Sequence, residues 1–232
     1  MVIKVGHRGA MGYEPENTLR SFKKALDIRV DMIELDVYVC KSGELVVIHD
    51  ETVNRTTNGK GKVEDKTLTE LKELDAGKGE KIPTLEEVLD LANLSAQEGN
   101  KIKVNIELKG ENTAEPVAKM IDKYIEEKGW SYEDFLVSSF NYKELQKFEK
   151  IESKIKTGFL SEKTPRNFID FAEKAGAYSV NIPIEHIDNE FVENAHDHGL
   201  KVYVWRTNSL EDIKKAKLLD VDYICSNFPD KI

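Results

Sequence analysis

His7 and Arg8 follow the apolar run VIKVG (2–6), and His49 closes the run ELVVIH (44–49). Glu34 and Asp36 stand two apart inside MIELDVYV (32–39), and Glu107 and Lys109 stand two apart at the end of IKVNIELK (102–109). Imidazoles, with an ordinary pKa near 6.5, suit proton transfer at neutral pH. A lone histidine in such a place is more often a cap or a core residue. Two at the ends of apolar runs, in a sequence with paired carboxylates, point to a general acid and a general base. Arg8 and Lys109 supply the positive charge that a phosphate needs.

The carboxylates raise an electrostatic problem. Side chains alternate along an extended strand, so Glu34 and Asp36 share a face with Cα atoms roughly 6–7 Å apart. Two unit charges at 4 Å repel by roughly 4 kcal/mol at an effective dielectric near 20. With Glu107 brought alongside, the three acids must protonate, pair with cations or hold a metal. All-oxygen ligation suits a hard divalent cation, Ca2+ or Mg2+, better than zinc. A structural ion network with Arg8, Lys103 or Lys109 satisfies the same spacing, and spacing alone does not choose between the two.

The elements that would position these residues follow a rhythm. Strand-like runs lie at 2–6, 32–39, 44–49, 102–108, 135–140, 155–160, 177–182, 200–205 and 221–226. Amphipathic segments lie between most of them, including ENTLRSFKKALDI with Asn17 or Thr18 as cap and TLEEVLDLANLSAQ with a Thr84/Glu87 capping box. NYKELQKFEKI, TPRNFIDFAEKAG, DNEFVENAHDHG and SLEDIKKAKLL continue the series, and Gly176 and Gly199 mark helix ends. With 44–49 taken as an excursion after the second strand, eight strand–helix units remain, the last without its helix. The expectation is an α/β fold, a (β/α)8 TIM barrel with a small insertion after the second strand. A doubly wound open sheet is the competitor. Residues 1–232 then form a single catalytic domain, within which the polar, Gly- and Lys-rich stretch 50–83 is a small inserted subdomain or loop.

Barrel closure also decides which way the carboxylates face. Both faces of a barrel strand are covered, and the apolar face must meet the helices. Ile33, Leu35, Val37 and Val39 therefore look outward and Glu34 and Asp36 inward; Lys103, Asn105, Glu107 and Lys109 share the inward face of their strand. Active sites of this fold gather at the C-terminal ends of the strands.

Bulk properties narrow the partners. A formal net charge of −9 disfavours nucleic acid. No run reaches the roughly 20 apolar residues of a membrane span, so no stable membrane anchor is expected. Cys40 and Cys225 form no CxxC motif and read as buried free thiols. The start lacks a signal-peptide pattern, and the expected compartment is the cytoplasm.

Taken together, HRG and PENT (7–18), ELDV (34–37), VVIHD (46–50), RTTNGKG (55–61), NIELK (105–109), LKVYVWRTN (200–208) and VDYICSNFP (221–229) resemble the glycerophosphodiester phosphodiesterase family over nearly the whole chain and in the same order. The resemblance implies a barrel enzyme that hydrolyses small-molecule glycerophosphodiesters, such as glycerophosphocholine or glycerophosphoethanolamine, to an alcohol and glycerol 3-phosphate with a divalent cation. Carried over position by position, it puts the catalytic histidines at His7 and His49 and the cation ligands at Glu34, Asp36 and Glu107. It puts substrate binding at Arg8, Lys109 and Trp205, with Glu16 and Asn17 supporting the first loop. His7 is the expected base and His49 the expected acid. The nucleophile is water or the vicinal hydroxyl of the glycerol. Departures from the family pattern, among them Tyr13-Glu14, Arg206, Tyr223 and Ser226-Asn227, bear on the choice of alcohol group.

Side chains outside this set have plainer readings. Phe140 and Phe159 are pocket wall or core. His186, His196 and His198 are surface residues on or near the sixth barrel helix, and Lys60 and Lys62 solvate the insertion or steer the anionic substrate. Alternatives to the main reading are a lysophospholipase D-like or phospholipase C-like enzyme on lipids, which needs an apolar rim, and a non-catalytic barrel that binds a phosphorylated metabolite.

Overall fold

The strand residues are β-branched and apolar on the face that meets helices, and the helical segments between them carry one apolar stripe each, so strands and helices bury one another in layers. A computed structural model describes residues 2–97, 102–164 and 167–232. Eight parallel strands form its centre: β1 (Ile3–Gly6), β2 (Met32–Val39), β4 (Lys103–Leu108), β5 (Phe135–Ser139), β6 (Lys156–Leu160), β7 (Ser179–Pro183), β8 (Lys201–Trp205) and β9 (Tyr223–Ser226). β1 bonds to β9 on one side and to β2 on the other, which closes the sheet into a TIM barrel and excludes the open doubly wound alternative. The excursion at 44–49 is a short strand, β3 (Leu45–Val47), antiparallel to the upper end of β2.

Helices α1 (Leu19–Asp27), α3 (Leu85–Gln97), α4 (Ala114–Lys128), α5 (Tyr142–Ile151), α6 (Phe168–Lys174), α7 (Asn189–Asp197) and α8 (Leu210–Leu218) follow the barrel strands, and β9 ends in a single 3-10 turn. Part of the expected helical segment before α6 falls on Pro165 and Arg166, outside the described residues. Local chemistry explains the boundaries. Thr18, Asn141, Asp188 and Ser209 accept backbone N–H groups at the starts of their helices, and Thr84 and Glu87 form the expected reciprocal cap of α3. Asn17, the other cap candidate for α1, has a different task, described below.

Two apolar clusters lie between strands and helices, one around Ile33, Leu35, Ile106, Val117 and Phe148 and one around Val180, Val202, Val192 and Ala216. A smaller plug of Val5, Met32, Leu136, Tyr203, Tyr223 and Cys225 fills the barrel interior. Above β2, residues 50–83 carry the short helix α2 (Leu68–Glu73) and an isolated bridge between Thr52 and Lys62. Val53, Val63, Leu71, Ala76 and Ile82 from this segment pack with Cys40, Val46 and Ile48 into a cluster of their own. The segment thereby forms a wall beside the barrel mouth on the side of β2 and β4.

Candidate active site

Register brings the acids together. β2 and β4 pair with Glu34 opposite Asn105 and Asp36 opposite Glu107, so the inward faces of two neighbouring strands stack carboxylates in adjacent layers. Glu34, Asp36 and Glu107 are all buried, and each offers an oxygen within 4.8 Å of the others. Lys103, on the same face of β4, pairs instead with Met32 near the opposite end of the barrel, so it is no partner for this cluster. The cations beside the acids are Arg8 and Lys109.

Arg8 sits in a turn with φ +48, a left-handed conformation that costs a non-glycine residue energy. Its surroundings hold it there. The backbone N–H donates to Glu34 (2.8 Å), Nη1 donates to Glu16 (2.7 Å), and Nε lies 3.4 Å from Asp36. Gly9 completes the turn at φ +84, where a Cβ would lie 2.5 Å from Ser21 at the start of α1. Asn17, also left-handed at φ +55, donates from Nδ2 to Asp36 (2.8 Å). The HRG and PENT stretches thus fix the acids of β2 from above.

The two histidines line one cavity of about 320 Å³, together with Arg8, Glu34, Glu107 and Lys109. His7 Nδ1 bonds Asn227 Oδ1 (2.6 Å), so the ring proton lies there and the Nε2 lone pair faces the cavity, 4.0 Å from Glu34. His49 Nδ1 bonds Asp50 (2.7 Å), and its Nε2 accepts from Lys109 Nζ (3.2 Å). Asp50 is gripped by Arg55 (2.7 and 2.9 Å), and Arg55 also reaches Glu16 (2.7 and 2.8 Å). A chain of charges therefore runs from Arg8 through Glu16 and Arg55 to Asp50 and His49.

Burial and neighbours set the protonation states. Burial, with Arg8 alongside, pushes the His7 imidazole down to about 4. His49 is lowered too, first by burial and then by Lys109 and Arg8, with Asp36 and Asp50 pulling the other way. Burial raises Glu34 well above the usual carboxyl range, and Asp36 and Glu107 add to it. Glu107 rises to about 7 through burial and Asp36, against the pull of Lys109. Asp36 stays below its ordinary value because Arg8 and Lys109 overcome its burial.

The donor set fits a hard dication. All three side chains are oxygen ligands, and Asp36 Oδ1 is buried with no hydrogen-bond partner. With all three carboxylates ionised, as a bound cation would favour, Arg8 and Lys109 leave one net negative charge. A divalent cation would turn that into one positive charge.

The remaining wall is neutral or aromatic near the floor and charged again at the rim. Asn105, Ser138, Tyr203 and Cys225 line the floor, and Leu160, Phe140 and Trp205 rise toward the mouth. Trp205 meets Phe140 edge to face at 5.9 Å between centroids. Phe159 turns away from the cavity to pack with Tyr142, Phe168 and Phe171. His196 bonds Asp222 at the other end of the barrel, and His198 bonds the carbonyl of Asn194 on its own helix. Arg55, Asn227, Glu162 and Arg206 had no site role in the sequence reading. Arg55 belongs to RTTNGKG (55–61), and Arg206 and Asn227 both depart from the family pattern, but nothing local pairs His7 with a residue 220 positions away.

Comparison with known proteins bears on this geometry. The model of the glycerophosphoryl diester phosphodiesterase family matches residues 7–231. A glycerophosphodiester phosphodiesterase of Caldanaerobacter subterraneus subsp. tengcongensis is 38% identical, over 99% of this chain and 96% of that protein. One of Bacillus altitudinis is 37% identical, over 97% of this chain and 94% of that protein. Among solved structures, an Oleispira antarctica phosphodiesterase in complex with the product sn-glycerol-3-phosphate superposes with a TM-score of 0.87 at 30% identity, covering 98% and 94% of the two chains.

Proposed function

This chain belongs to the glycerophosphoryl diester phosphodiesterase family and is an enzyme of that activity, and we propose that it hydrolyses small glycerophosphodiesters by two-histidine acid–base catalysis beside a divalent cation. In this reading Arg8 and Lys109 bind the non-bridging oxygens of the phosphodiester. His7 Nε2, kept unprotonated by its burial, takes the proton of the nucleophile, either water or the vicinal hydroxyl of the glycerol; in the second case water then opens the cyclic phosphate, with His49 as base and His7 as acid. As the new P–O bond forms, the bond to the alcohol breaks, and His49 gives that alkoxide its proton from Nε2. Before that transfer Lys109 must turn from His49 Nε2 to the phosphate and Nε2 must take up a proton from solvent, a charged state that Asp50, fixed by Arg55, favours; His7 returns its proton to solvent after the products leave. Glu34, Asp36 and Glu107 would hold Ca2+ or Mg2+, which when bound supplies Lewis-acid stabilisation of the phosphoryl charge.

The observation that supports this reading best is the convergence of Glu34, Glu107, two imidazoles and two cations on one cavity, with Asp36 buried against the two glutamates. A lipid-cleaving alternative needs an apolar rim. Among the described residues, Phe140 is the one exposed large apolar side chain that lines this cavity. No helix among those residues is long and apolar enough to cross a membrane. The reading includes one catalytic domain that contains residues 50–83. It also includes a cytoplasmic location, supported by two buried free thiols, and no nucleic-acid partner, supported by the net charge of −9. The test is release of sn-glycerol 3-phosphate from a panel of glycerophosphodiesters, before and after chelation. Release that depends on added Ca2+ or Mg2+ is expected. Full release in EDTA would overturn the role given to the cation.

A further inference from the structure

The mouth of the cavity already contains a cation on an aromatic face. Trp205 ends β8, and the guanidinium of the next residue, Arg206, lies over its ring with Cζ 4.6 Å from the centroid. Arg206 Nη2 is 3.1 Å from both carboxylate oxygens of Glu162, in the loop after β6, and Nη1 is 3.7 Å from Glu185, in the turn after β7. Glu162, Trp205 and Arg206 all line the same cavity as the histidines. Trp205 leads back to the reaction centre through Phe140, whose ring carries Lys109 Nζ at 5.4 Å. An aromatic ring flanked by two carboxylates is the set that recognises an alkylammonium group. Here the chain's own guanidinium occupies it.

We infer that Arg206 is a specificity-determining residue that fills the head-group subsite and turns the enzyme from choline-type diesters toward diesters of uncharged polyols. The inference rests on the glycerophosphodiesterase reading and narrows the alcohol groups expected from sequence. A quaternary ammonium must displace Arg206 from Trp205, Glu162 and Glu185 before it finds a partner. A glycerol head group needs none of these contacts and can take hydrogen bonds from the guanidinium where it lies. Arg206 has φ +60, which sets the direction of its Cα–Cβ bond, and the contacts with Trp205 and Glu162 hold the rest of the side chain. Asn tolerates that conformation, so Arg206→Asn removes the cation without forcing the turn to change.

Two measurements test this. In kinetics with glycerophosphocholine and glycerophosphoglycerol, the unaltered enzyme is expected to favour the glycerol diester in kcat/KM. Arg206→Asn is expected to raise the choline-to-glycerol ratio at least about tenfold, the size of a recovered cation–π contact. Arg206→Lys, which keeps the charge, leaves the ratio within about threefold, and adding Glu162→Gln to Arg206→Asn removes most of the gain. An unaltered enzyme that favours the choline diester, or a ratio that Arg206→Asn does not move, overturns the inference. The second measurement needs no turnover. Choline is titrated while tryptophan fluorescence is followed; the chain has two tryptophans, and Trp130 is buried against Phe135. Choline is expected to quench Arg206→Asn and not the unaltered protein, and equal responses overturn the inference. An enzyme that hydrolyses neither diester would refute the activity, while the titration still judges the subsite.

Discussion

The barrel divides into two sectors that use the same inward-facing positions differently. From β1 to β4, those positions and the loops above them carry His7, Arg8, Glu34, Asp36, His49, Glu107 and Lys109. From β5 to β9, the equivalent positions around the cavity carry Ser138, Leu160, Tyr203, Trp205 and Cys225, with charge at the rim in Glu162, Glu185 and Arg206. The first sector also holds the left-handed turns at Arg8 and Asn17 and the buried carboxyls that resist ionising together. One sector therefore stores electrostatic strain and the other shapes space. The difference fits a reaction in which the phosphoryl group meets one side of a cavity and the carbon frames of the substrate meet the other.

The largest effects are expected from the charged sector. His7→Ala and His49→Ala should each lower kcat by roughly 10²–10⁴, with the melting temperature held within about 2 °C, as read by glycerol 3-phosphate release and thermal unfolding. Equal activity in either variant would detach that histidine from the reaction. A smaller loss, about ten- to a hundredfold in kcat, is expected for Asp50→Asn, because this carboxylate orients His49 and favours its charged form. Asp50 raises the His49 pKa, so its removal lowers that pKa, and the alkaline limb of the kcat profile should move to lower pH. A loss of activity with an unmoved limb would make Asp50 merely structural.

In the other sector, Trp205→Ala should act mainly on KM, by about three- to tenfold, since it removes an aromatic wall and no proton carrier. A collapse of kcat equal to that of the histidine variants would erase the distinction between sectors. The smallest effect on activity belongs far from both. At the opposite end of the barrel Asp222 accepts from Val202 N–H (2.9 Å) and His196 (2.9 Å) and pairs with Lys201 (2.8 Å). Burial works to raise its pKa, but Lys201, the Val202 N–H and His196 together hold it below the usual carboxyl value. Its stabilising effect is thus present above the ordinary carboxyl pKa and is lost as the pH falls through the lowered native value. Asp222→Asn should cost about 1–2 kcal/mol at neutral pH and nothing measurable in kcat, with the gap in melting temperature narrowing in acid.

Much of the charged sector was legible because alternation along β2 and β4 puts Glu34, Asp36 and Glu107 on inward faces once closure is assumed. The same alternation also put Lys103 on that face, and it could not tell height: register, which local sequence does not encode, places Lys103 opposite Met32, a layer below Glu34. His49 has its partners in the next residue, Asp50, and in Lys109, but the partner of His7 and the support behind Asp50 were hidden for a related reason. Asn227 reaches His7 across the seam where β9 meets β1, and Arg55 joins Asp50 to Glu16 through a loop whose path follows no period. Asn17 read as a helix cap because its type suits one; its left-handed backbone turns it to Asp36 instead. Arg206 stood out only as a departure from the family pattern, and its stacking on Trp205 required the fold.

The central claim is that Glu34, Asp36 and Glu107 hold a divalent cation under the two imidazoles. Crystals soaked in Mn2+ and measured at its absorption edge test it most directly. One anomalous peak among the three carboxylates, absent in Glu34→Gln, is the expected result; a protein that binds no ion there yet turns over fully in EDTA would contradict it.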